Sequence, residues 1–210
     1  MLIDHVGILF FPDEPLLRVI GRVSFPLFAF LIAEGERKTS DSSRYLARLT
    51  AFAIISQLPY ELFIRAAGVA SVPINIFATL SFGLLARLLL KRFSLRYSLP
   101  AVAVILFLSE YLSFDGGAYG ILTILGSALF LSVRGWGTAY LLSLPVIDAV
   151  IRFLYGTITI QFFAFCSVPV VMLYNGEKGR PLPRWFFYSF YPVHLLLLWL
   201  IWYALIRTHA

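Results

Sequence analysis

One cysteine, three histidines and few charges show what this chain of 210 residues does without. The lone Cys166 lies in the apolar run FFAFCSVPVV, so no intrachain disulfide is open to it and a buried, inert thiol is expected. No Cys-x-x-Cys pair, zinc-protease motif, P-loop, dinucleotide-binding glycine pattern or serine-hydrolase elbow occurs, which removes the common soluble metal, nucleotide and hydrolase signatures. Charged residues make up 13% of the chain, against about 25% in soluble domains. No sustained polar–apolar alternation is present, which excludes a membrane β-barrel. The first basic residue is Arg18, so no basic leader precedes the first apolar run and no cleavable signal peptide is expected. Internal repeats and low-complexity segments are absent as well.

What is there is apolar. Hydrophobic residues reach 60% and the mean hydropathy is +0.86. Repeated apolar runs near the length of a bilayer crossing predict an all-α, polytopic transmembrane bundle of about nine spans (eight to ten), formed by residues 1–210 as a single domain. Met1–Pro12 is about 12 residues, roughly 18 Å of helix, too short to cross roughly 30 Å of hydrocarbon. It is expected to be a half-helix or, preferably, the end of a longer one. The further spans are placed at Leu16–Ala33, Tyr45–Ile64, Pro73–Leu90 (opened by its proline), Leu99–Phe114, Ile121–Val133, Thr138–Phe153, Ile158–Tyr174 and Trp185–Ile206. Basic residues gather in alternate connections. Arg37, Lys38, Arg44 and Arg48 follow span two, Lys91, Arg92 and Arg96 follow span four, Arg134 follows span six, and Lys178, Arg180 and Arg184 follow span eight. Those connections are predicted to be cytoplasmic, which puts the N-terminus inside. The net charge of +6 then serves orientation and anionic lipid, and nucleic acid is not an expected partner.

Ionisable groups inside such a chain are expensive and point to function. Asp4 and His5 stand side by side in MLIDHVGILFFP and point about 100° apart on a helix. At membrane depth His5 can accept a proton from an attacking group near neutral pH, and Asp4 can orient it or hold a basic group. The plain alternative is a polar pair solvated by headgroups. Arg18 and Arg22 share a helix face. They either snorkel to headgroups, bind a phosphate or carboxylate, or pair with Asp4. Glu34 is most simply a solvated helix end. Asn75 is most simply an interhelical hydrogen bond, and Asp115 a turn in the glycine-rich FDGGAYG. Asn175, Lys178 and Arg180 make a basic turn able to meet phosphates. His194 falls near mid-depth of the last span, as a packing or a catalytic histidine, and the aromatic run to Tyr191 fits an interfacial belt. No residue group points to a metal.

Several stretches resemble the TraX family of integral membrane proteins: IDHVG (Ile3–Gly7), RVIGRVSFPLFAFLIAEG (Arg18–Gly35), RLTAFAIISQLPYEL (Arg48–Leu62), NIFATLSFGLLA (Asn75–Ala86), YNGEKG (Tyr174–Gly179) and FFYSFYPVHLLLL (Phe186–Leu198). They run nearly end to end in family order. FDGGAYG is looser than the family's aspartate–glycine pattern. The resemblance implies a bacterial inner-membrane enzyme that moves acetyl from acetyl-CoA to an acceptor amine or hydroxyl: a pilin N-terminus in the best-known members, or another envelope protein, glycan or lipid.

It further implies His5 as general base steadied by Asp4 or a neighbour, and an arginine or His194 on the thioester carbonyl. Coenzyme phosphates are expected near Arg48, Lys178 and Arg180. Arg18, Arg22, Glu34, Asn75, Asp115, Asn175 and Tyr191 complete the expected binding set. Two rivals stay open: a transporter or exporter of a lipid or small molecule, and a non-catalytic assembly subunit for a pilus or surface polymer.

Overall fold

The computed structural model describes residues 1–157, 159–177 and 183–209, and the expected coenzyme-binding Lys178 and Arg180 lie outside them. The described chain is helical: α1 Leu2–Phe10, α2 Pro15–Arg22, α3 Ser24–Lys38, α4 Ser42–Ala66, α5 Ile76–Arg92, α6 Leu95–Tyr111, α7 Gly117–Ser132, α8 Arg134–Leu154, a 3-10 segment Ile160–Cys166, α9 Ser167–Met172 and α10 Arg184–His209. Among the described residues, three stretches are long and apolar enough to cross a membrane: Pro15–Lys38, Arg134–Leu154 and Trp185–Ile206.

The departures from expectation have local causes. The second span is broken at Val23 into α2 and α3. The fourth opens on Asn75, whose side chain accepts from Phe77 N at 3.0 Å, rather than on Pro73. The eighth is no single helix. Pro169 has no N–H to give the carbonyl four residues back, and its ring clashes there. The chain instead takes a 3-10 path and restarts as α9, with Pro169 in the first turn where a missing N–H costs nothing.

Among lipid tails, apolar burial gives little drive for helices to associate, and close packing of small residues takes over. α1 folds back on α2 because Gly21 offers no side chain: a Cβ there would stand 2.6 Å from Asp4 Cγ. The central layer is α5 and α7, whose Leu84, Thr79, Ile121 and Ile124 are fully buried.

The two ends of the bundle differ in charge. At one, Glu36 binds Lys91 at 2.7 Å and Arg134 donates to Tyr174 O at 2.9 Å. This end gathers the basic residues that follow α3, α5 and α7. At the other, the α4–α5 and α6–α7 connections clasp each other. Ile74 N donates to Ser113 O at 3.1 Å, Asp115 N to Ile74 O at 2.7 Å, and Thr79 Oγ1 to Asp115 O at 2.5 Å. Gly116 closes this clasp at φ +88°, a conformation glycine adopts without penalty.

Candidate active site

α1 brings two neighbouring residues to two different walls. Asp4 turns to α2, where Arg22 Nη2 donates to both carboxylate oxygens at 2.8 and 3.0 Å and Arg18 Nε donates to Oδ1 at 2.9 Å. Of the three roles open to the arginines, pairing with Asp4 is the one formed. Arg22 also reaches Gln161 Oε1 at 3.4 Å.

His5 turns the other way, to α4 and α10. Its Nδ1 lies 2.8 Å from His194 Nε2, and His194 Nδ1 lies 2.6 Å from Phe190 O. A carbonyl only accepts, so His194 Nδ1 carries its proton, and in the neutral ring Nε2 is then a bare acceptor. His5 Nδ1–H must donate to it. That fixes His5 as the tautomer with a free lone pair on Nε2. Phe63 packs edge-on to the His5 ring at 5.0 Å, and Phe190 stacks on His194 at 4.8 Å. Both rings are thereby held in place.

His5 lines a cavity of about 670 Å³ with Asp4, Arg22, Asp115 and Tyr191. Its mouth is built by Glu110, Ala118, Asp148, Arg152 and Thr157, all at the end opposite the basic connections. Glu110 Oε1 accepts from Ala118 N at 2.7 Å, and Asp148 pairs with Arg152 at 3.0 Å.

His194 does not line the cavity, and both its ring nitrogens are engaged. One of them meets His5 and the other the Phe190 carbonyl. Asn75 does not line it either. Its amide nitrogen donates to Ala53 O at 2.6 Å and Gln57 Oε1 at 2.7 Å, so it ties α4 to α5. Glu34 lies at the basic end, clamped by Arg37, Lys38 and the Tyr174 hydroxyl, and is no solvated helix end. Asn175 is exposed and closes a turn onto Glu177 N at 2.9 Å. Arg48 sits at the basic end with its Nε buried and unpartnered beside the Tyr45 ring. A second groove, about 590 Å³ and apolar, lies between α4 and α5 near that end and shares no lining residue with the His5 cavity.

Sequence reasoning left out Glu110, Tyr119, Asp148 and Gln161. Asp148 carried the same signal as Asp4, an acid inside an apolar run (LPVIDAVI). Gln161 is a lone polar residue beside FFAF.

The sequence profile of the family described as TraX protein matches residues 1–202. The chain belongs to the TraX family. A TraX-like relative is the "Probable fimbrial assembly protein FimC, serogroup H1" of Dichelobacter nodosus, 31% identical over 94% of this chain and 89% of its own length. No solved structure matches. Within this TraX chain, both resemblance stretches that carry a histidine meet at the site, IDHVG on α1 and FFYSFYPVHLLLL on α10.

Proposed function

We propose that this TraX-family chain is a multi-pass protein of the bacterial cytoplasmic membrane, with about nine membrane segments and its basic end inward. It transfers acetyl from acetyl-CoA to an amine or hydroxyl of an envelope acceptor. The observation that carries this is the relay His5–His194–Phe190 O, which leaves one ring nitrogen of His5 uncommitted in a residue that lines the cavity. It has the logic of a base oriented by a second group.

His5 Nε2 removes the proton from the acceptor N–H or O–H as that atom bonds to the thioester carbon. Arg22, on the cavity wall, faces the oxygen on which charge develops. His194 accepts from His5 Nδ1–H throughout and steadies the imidazolium. The C–S bond then breaks, and His5 returns its proton to the departing sulfur, so both groups end as they began. Arg48 at the basic end is the described candidate for the coenzyme's phosphates. It precedes Phe63, which touches His5, by 15 positions on α4, roughly 22 Å of helix for the donor arm to span.

The test is transfer from radiolabelled acetyl-CoA in membranes carrying the wild type or His5→Gln at equal level. A fall of about 10²–10⁴-fold is expected on losing a general base. Rates within twofold overturn the role.

The assembly reading is favoured by the Dichelobacter relative, a probable fimbrial assembly protein. It holds if the wild type incorporates no label while a pilus subunit copurifies with it.

A further inference from the structure

The cavity carries further polar groups beside His5, whose ring lies 6.3 Å from that of Tyr191. Tyr191 is 3% exposed, and its hydroxyl lies by the backbone N–H of Ile76 with no acceptor for its own proton among the described residues. It lines the cavity together with Asp115, whose loop the Ile74–Phe114 clasp holds. Asp115 has no ion pair, unlike Asp148, which is taken by Arg152, and Asp4, which is taken by two arginines. Glu110 is spent on the start of α7. Asp115 is therefore the lining acid with no cation among the described residues; it accepts from the Tyr60 hydroxyl and keeps further acceptor capacity for a ligand.

The donor–acceptor arithmetic selects a ligand class. A carboxylate only accepts, and an unpartnered phenol needs somewhere to donate. An ammonium satisfies the carboxylate but gives the phenol O–H nothing to donate to. A hydroxyl does both: it donates to Asp115 and accepts from Tyr191. Buried polar groups without partners are rare and costly, so a site built around one points to what fills it.

We propose that Asp115 and Tyr191 form an acceptor subsite for a neutral hydroxyl-bearing molecule, a sugar or polyol, which enters through the mouth at the end opposite the basic connections. The sugar class deepens the transferase reading and rests on it only for the fate of the hydroxyl presented to His5.

The experiment is saturation-transfer NMR on the full chain in lipid nanodiscs, with methyl β-glucoside as the hydroxyl probe and ethylamine as the amine probe. The wild type is expected to saturate the glucoside and not the amine. Tyr191→Phe and Asp115→Asn are each expected to lower the glucoside signal at least threefold. Tyr191→Phe removes only a hydroxyl that donates to nothing among the described residues, so a thermal midpoint close to wild type shows the fold intact. Undiminished glucoside signal in a folded Tyr191→Phe overturns the subsite, as does preference for the amine. The transferase reading is scored separately. Glucoside binding that depends on Tyr191 without acetyl transfer sinks the reaction and keeps the subsite. Acetyl transfer that is indifferent to both substitutions sinks the subsite and keeps the reaction.

Discussion

Gly21→Ala is a one-methyl perturbation placed between α1 and α2. The new Cβ would lie 2.6 Å from Asp4 Cγ and 2.7 Å from Oδ1. Comfortable carbon–carbon contact begins near ~3.5 Å, so α1 must retreat by about 1 Å. Asp4 is held by two guanidinium groups from α2 itself and cannot swing aside without loosening them. His5 is the next residue and moves with it. A shift of about 1 Å displaces the His5 ring against α10 and spoils the 2.8 Å bond to His194 that sets it.

The stability cost is that of overpacking plus a weakened charge-assisted bond, about 2–3 kcal/mol. The catalytic cost is larger, because a misplacement near 1 Å is worth about 10²-fold in rate. Denaturant titration in detergent gives the first number, and acetyl transfer at saturating donor gives the second. Wild-type stability together with a rate within threefold of wild type would show that α1 is not positioned by its contact with Gly21. The link between the hairpin and the base would then fail.

Two further substitutions separate structure from chemistry. Asn75→Ala strands Gln57 and the start of α5 and is expected to destabilise by about 2–3 kcal/mol. The KM of the surviving fraction should not change, as steady-state kinetics after thermal selection would show. His194→Phe keeps a ring against Phe190 but removes the acceptor for His5 Nδ1–H. It should lower kcat about 10²-fold by freeing the wrong tautomer, as in other oriented-base sites, with KM little changed.

The apolar runs located the helices well, because apolar content and spacing are local properties. Their ends and breaks were less legible. The break at Val23 falls between Gly21 and Pro26, and Pro26 has no N–H for the Arg22 carbonyl four residues back, a signal that apolar content alone does not register. Pro169 lies inside the run Ile158–Tyr174 that apolar content marks as one span, and it reduces that run to a 3-10 segment and a six-residue helix.

At the site, the cost of burying charge was enough to single out Asp4, His5, Arg18 and Arg22 from the sequence. Their distribution was not. His5 meets a residue 189 positions away, a pairing no local pattern encodes. Asp148 and Glu110, acids inside two expected spans, carry the same burial signal, and each closes locally, on Arg152 and on the start of α7. Glu34 and Asn75 carry polarity with equal conspicuousness yet serve the bundle, since their bonds close on neighbouring helices.

The nine-residue α1 behaves as a lever. Its far end is the short connection at Phe11–Glu14, on the same end of the bundle as the cavity mouth, and its near end holds both the ion-paired Asp4 and the base. A force on that connection is transmitted along a rigid rod to His5, whose only polar hold is one bond to His194.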